Sequence, residues 1–99
     1  MEKKHNIAAT GIPWYRAEDY EKILNIMEDS ELLPGSFAKW QRLAEQTLER
    51  IQHSGQKGTM VYIDPDSFPG WCKQHGFPLN ASARMQFAAV EARKELKKG

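Results

Sequence analysis

The chain has 99 residues, 14 lysines and arginines against 13 aspartates and glutamates, and a formal charge of +1. The length fits one domain, and the area scaling of folded chains gives it roughly 65% of its unfolded surface to bury, enough for one modest core. A single cysteine, Cys72, excludes a disulfide framework, no window approaches the ~18 apolar residues of a membrane span, and a near-zero charge gives no whole-molecule pull toward nucleic acid or a membrane.

The charged start, Met1 to Asn6, leads only into Ile7-Ala8-Ala9, so no signal-peptide core is expected. Residues 1–6 should fray, and a soluble cytoplasmic protein is the expected class. Residues 7–12 can add a short extended segment, because Pro13 biases Ile12 away from helix. Trp14 and Tyr15 follow at once, with Arg16 behind them. Core packing is the plain reading of these aromatics. The functional reading makes Trp14, Tyr15 and Arg16 a partly exposed patch, since aromatic and arginine side chains favour interfaces.

The first helix is predicted over about 17–27. Glu18 and Asp19 suit the positive end of its dipole, and Tyr20, Ile23, Leu24 and Met27 follow the i, i+3, i+4, i+7 spacing of one apolar face. Pro34-Gly35 then breaks the chain. The second helix is predicted over 37–53, with Ser36 as N-cap, Trp40, Leu43, Ala44, Leu48 and Ile51 as an apolar stripe, and Gly55 beyond its end. A short loop between the two favours an antiparallel hairpin.

Thr59 to Ile63 is the one convincing strand, rich in β-branched and aromatic residues. Alternation puts Met60 and Tyr62 on one face and Thr59, Val61 and Ile63 on the other. A lone strand leaves its backbone unpaired, so it must pair either with residues 7–12 or with the same strand of a second subunit. A third helix is predicted over 68–75, with Asp66 or Ser67 as cap, Pro69 in its first turn and Phe68, Trp71 and Cys72 as its buried face. Asn80 caps a fourth helix over 81–97. Ala83, Phe87 and Val90 line one side of it, with Ala88, Ala92 and Leu96 beside them. The expected fold is thus mainly α (α+β), four helices with one short strand.

Few residues carry chemistry. Cys72 and His75 share a helix face at i, i+3, but a zinc site needs about four ligands, and only His5 and His53 remain among Cys and His. Cys72 lies on an apolar face with no cation or helix N-terminus to activate it. Asp64 and Asp66 can hold Mg²⁺ or act as an acid–base pair, yet Asp-Pro-Asp-Ser before a helix is what capping requires. Phosphate-loop motifs are absent. No catalytic residue, metal site or cofactor is assigned.

The charge is unevenly placed. Residues 1–72 carry 8 basic and 11 acidic groups and residues 73–99 carry 6 and 2, so +1 is the sum of −3 and +4. Arg84, Arg93, Lys94, Lys97 and Lys98 gather on the last helix. Helices 68–75 and 81–97, joined through Gly76, have a loose helix-turn-helix look, although a dedicated nucleic-acid domain usually has a strongly basic pI.

Two strings look familiar. Ile12-Pro13-Trp14-Tyr15-Arg16 is followed by Glu18-Asp19-Tyr20, and Ile63-Asp64-Pro65-Asp66-Ser67-Phe68-Pro69-Gly70-Trp71-Cys72 by His75-Gly76. Together they resemble a group of small uncharacterised bacterial proteins in which these motifs flank a long helix. The resemblance spans residues 12 to about 90 and implies a bacterial, cytoplasmic protein with no stated reaction. Ser36-Phe37-Ala38-Lys39 departs from it by lacking the acidic residue of a capping box.

The sequence therefore suggests a non-enzymatic interaction protein, a homodimer joined through strand 59–63. The alternative is a nucleic-acid-associated accessory protein, and a weaker one is a small hydrolase or thiol enzyme around Cys72, His75 and Asp64. Candidate surface residues are Trp14, Tyr15, Arg16, Asp64, Asp66, His75, Arg84, Arg93 and Lys94.

Overall fold

Two strands and four helices follow one another in a computed structural model that describes residues 9–98, with side chains described for residues 10–94. They are β1 (Ala9–Trp14), α1 (Tyr20–Ile26), α2 (Phe37–His53), β2 (Lys57–Tyr62), α3 (Phe68–His75) and α4 (Ala81–Lys98). The expectation of a frayed segment 1–6 lies outside the described residues, as do Ile7 and Ala8 of the expected extended segment and the side chains of Leu96, Lys97 and Lys98.

β1 and β2 form a two-stranded parallel sheet, with Ile12 beside Met60 and Trp14 beside Tyr62. The strand at 59–63 thus finds its partner within the chain. A parallel pair needs a long crossover, and α1 and α2 supply it. Adjacent strand residues face opposite sides, and the two sides take different helices. A methyl group on Gly58 would lie 2.6 Å from Leu48 and 3.6 Å from Ile51, so α2 covers that face. A methyl group on Gly11 would lie 2.2 Å from the carbonyl oxygen of Ala88, so α4 covers the other. Val61 packs there with Ala88 and Ala92. Small residues let the axis of α4 come close to β1, and glycine at 11 is what the contact requires.

The first helix opens with a 3-10 turn, Ala17–Asp19, before the α-helix proper begins at Tyr20. Met27 takes extended backbone angles and ends it. Ser36 caps α2 by accepting from the N–H of Lys39. Gly76 closes α3 in the left-handed region, at φ 76°, a conformation that costs glycine little. Ser67 stands at the N-cap position of α3 without a side-chain cap bond, so the expected cap is replaced by a turn held by Asp64.

Two expectations about α1 and α2 need correcting. Their aromatic contacts join the two N-terminal ends, Tyr20 against Phe37 and Trp40, whereas an antiparallel hairpin would bring the end of one to the start of the other. Leu43 is 54% exposed and not part of the buried stripe. At 3.6 residues per turn it points about 100° away from the mean direction of Phe37, Trp40, Ala44, Leu48 and Ile51, on the flank of the apolar arc. The core itself gathers Ile12, Trp14, Tyr15, Tyr20, Ile23, Trp40, Ile63 and Phe68 between the sheet and the helices.

Candidate functional site

The backbone of β2 faces two ways. The N–H of Ile63 donates to the carbonyl of Trp14, and in a parallel ladder that bond alternates along the strand. Thr59, Val61 and Ile63 therefore turn their polar groups toward β1, while Gly58, Met60 and Tyr62 turn theirs outward. No other hydrogen bond among the described residues reaches the N–H or carbonyl of Met60 or Tyr62. Their side chains are 47% and 43% exposed. The opposite edge of the sheet differs. There β1 turns Gly11 and Pro13 outward, Gly11 is buried beneath Ala88, and Pro13 has no N–H to offer. Proline is one of the devices that block an edge. Among the described residues the sheet thus has one closed edge and one open edge, and the open one runs along β2.

Arg16 borders this edge. It is exposed, and its guanidinium carbon lies 4.3 Å from the centroid of the Tyr62 ring, a cation–π contact. Its two companions do not join it. Trp14 and Tyr15 are 6% and 3% exposed, which corrects the expectation of an exposed aromatic patch. Trp14 meets Trp40 edge to face at 5.2 Å, and Tyr15 lies 4.7 Å from the same ring. The run Trp14-Tyr15-Arg16 ends the strand and turns into the helix, so consecutive side chains diverge into the core and out to solvent.

Arg84, expected on the surface, lies inside the molecule. It is 6% exposed and grips Asp29 with both nitrogens, Nη1 to Oδ1 at 2.9 Å and Nη2 to Oδ2 at 3.2 Å. Asp29 also accepts from the N–H of Ala81 at 3.0 Å, at the start of α4, where a carboxylate suits the helix dipole. The Arg84 hydrogen bonds, chiefly, hold the Asp29 carboxyl below its ordinary range, against the opposing effect of burial. Tyr15 lies near this pair, and burial pushes its phenol up to about 12. Asp29, Arg84, Tyr15 and Tyr20 make a buried polar group beneath the start of α4. The sequence reading missed it, though a signal exists. With 3.6 residues per turn Arg84 falls between Ala83 and Ala88 on the buried arc, and a cation there requires a buried acid.

The remaining candidates are scattered. Asp64 accepts from the N–H of Asp66 at Oδ1 and from Phe68 at its carbonyl, which is turn closure. Asp66 stands 3.8 Å from Lys22, both exposed. His75 stacks on Trp71 at 4.4 Å, and its Nδ1 lies 2.9 Å from the Trp71 carbonyl. Cys72 is 2% exposed, and burial pushes its thiol up, the opposite of nucleophilic activation. Arg93 and Lys94 are exposed on α4, Lys94 paired to Glu91 at 3.0 Å. Among the described residues no three of His, Cys, Asp and Glu gather as metal ligands, and no helix is long and apolar enough to cross a membrane. A shallow groove of about 250 Å³ between the starts of α1 and α2 is lined by Tyr20, Glu21, Leu24 and Phe37 among others. It holds no constellation of convergent polar groups.

No family model, curated protein or solved structure matches the chain.

Proposed function

We propose that this chain is a non-enzymatic interaction module that binds its partner by strand addition along the open edge of β2. The observation that carries the reading is the unpaired backbone of Met60 and Tyr62 beneath half-exposed apolar side chains. Strand addition uses such a row of donors and acceptors for affinity and the alternate side chains for specificity. A buried, unactivated Cys72 and an Asp64 engaged in a turn favour binding over catalysis. They remove the nucleophile and one acid from the thiol-enzyme alternative. The nucleic-acid alternative loses its best-placed residue, because a recognition helix reads bases with its N-terminal part and Arg84, the cation in that part of α4, is buried against Asp29. A cytoplasmic setting belongs to the same proposal and is supported by the lone free thiol.

The test is selection of a phage-displayed random peptide library against the dilute full chain and against Met60→Pro. That substitution deletes an outward N–H and leaves the β1 ladder intact. The expected result is a set of extended peptides that bind the native chain and lose at least about tenfold in affinity toward Met60→Pro, the effect of losing a backbone bond and its register. A library that yields no binder, or binders indifferent to Met60→Pro, overturns the reading.

A further inference from the structure

We infer that the edge of β2 accepts the same edge of a second copy, antiparallel, to give a four-stranded sheet ordered β1-β2-β2-β1. The inference rests on the strand-addition reading and names its partner. Three features of β2 select a copy of itself.

The first is charge. β2 begins at Lys57 and is followed by Asp64, both exposed. An antiparallel pair sets the start of each strand near the end of the other, so the basic end of each strand at Lys57 meets the acidic end of the other at Asp64, a contact of opposite charge between strand ends without a direct side-chain pair. A two-fold axis makes that contact twice.

The second feature is the side-chain pattern. Outward-facing backbone at Gly58, Met60 and Tyr62 permits two central registers, one placing Met60 opposite Met60 and the other placing Met60 opposite Tyr62. In the first, Tyr62 would have to lie over Gly58 of the other copy, and that position is already roofed by Leu48, 2.6 Å from where a methyl group would sit. The second register keeps the Tyr62 ring off that position and leaves Gly58 at the end of the pairing, beyond the last residue of the other β2. It pairs the exposed Met60 of each copy with the exposed Tyr62 of the other, a sulfur–aromatic contact made twice. The two Val61 residues then flank the axis on the α4 face.

The third feature is the asymmetry of the sheet. Pro13 closes the β1 edge, so pairing stops at two copies and cannot extend into a fibre. Six residues at about 3.3 Å each make an edge roughly 20 Å long. A two-strand contact of that length places the dimer among small, transient interfaces, so its association is to be followed from about 10 µM to 1 mM, where weak complexes form.

Light scattering and sedimentation of the full chain across that range test the idea. The expected mass rises from the 11.4 kDa monomer toward twice that value, Lys57→Glu shifts the rise to higher concentration, and Met60→Pro abolishes it with an unchanged circular dichroism spectrum. If Met60→Pro unfolds, Met60→Lys, which leaves the backbone alone, takes its place and is expected to weaken the dimer at least about tenfold through like charge near the axis. Register is read by mixing Met60→Cys and Tyr62→Cys chains under mild oxidation. The mixed disulfide should outrun either homodimer, with Cys72 buried and silent. A native chain that stays monomeric throughout overturns the second-copy inference and leaves the peptide selection standing. A dimer that both position-60 variants leave intact overturns it too, and faster crosslinking of Met60→Cys to itself overturns the register.

Discussion

At position 11 a methyl group has nowhere to go. It would meet the Ala88 carbonyl oxygen at 2.2 Å and carbon at 2.5 Å, both backbone atoms of a helix. Gly11→Ala must therefore push α4 off the sheet. A loss of about 3 kcal/mol is expected, the upper range for overpacking, measured as a fall in urea midpoint with the slope unchanged. Gly70 is the internal control. It lies in α3 with nothing within 4 Å of an added methyl group, and alanine is the better helix former by up to about 1 kcal/mol. Gly70→Ala should raise the midpoint. The same substitution thus takes opposite signs at two glycines, for reasons that lie in what surrounds each of them.

At the scale of elements, α2 and α3 were legible because each is bounded by strong local signals: Ser36 before one, Gly76 after the other, and a 3.6-residue apolar period between. The partner of β2 was visible only as one of two options, since pairing between residues 9–14 and 57–62 is a long-range fact that no local pattern encodes. Pro13 favoured an extended residue before it, yet it joins the strand itself only because the edge position makes its missing N–H harmless. Arg84 was misread for a related reason: a surface charge and a buried one look alike until the acid is found, and Asp29 lies 55 residues away. That pair ties the segment after α1 to the start of α4, together with Glu28 N–H donating to the Leu79 carbonyl at 2.8 Å. Removing one partner leaves the other charge buried and unpaired. Asp29→Ala should cost about 3–5 kcal/mol and should first loosen the start of α4, seen as faster amide exchange at Ala81 than in β2. Replacing both, Asp29→Ala with Arg84→Met, should cost less than the single change, because no stranded cation remains.

The open β2 edge was the other half-read feature of the candidate site. Alternation placed Met60 and Tyr62 together on one face, yet their exposure follows from where α2 ends its cover, at Leu48 and Ile51 above Gly58. Composition could not show it, and neither could the aromatic richness around Trp14 and Tyr15. Those rings are used up in the core, and only Arg16 emerges beside Tyr62.

For the molecule as a whole, the division into −3 and +4 is partly undone by folding, since Arg84 from the basic part is neutralised by Asp29 from the acidic part. The two ends of the pH scale should then show different limits. Asp29 binds its proton less readily when folded than its ordinary value of 3.8 implies. Above 3.8 the unfolded chain is already ionised, and the stabilisation by Arg84 is fully present. As pH falls through the lower folded value, the protonated unfolded state gains and the stabilisation is lost. Tyr15 sets the alkaline limit with the opposite arrangement. Between its ordinary 10.0 and the folded value of about 12, the unfolded chain releases the phenolic proton and the folded one keeps it. The unfolded state then binds fewer protons, so stability falls with rising pH, by about 3 kcal/mol across the interval at 1.36 kcal/mol per pH unit. Urea titrations at pH 9 to 12 should show this slope. Tyr15→Phe should flatten it without abolishing it, because the Tyr20 phenol is also raised by burial. A native chain whose stability is level from pH 10 to 12 would mean that the phenol of Tyr15 reaches water, which would contradict the packing of Tyr15 against Trp40 and with it the closed core beneath the sheet.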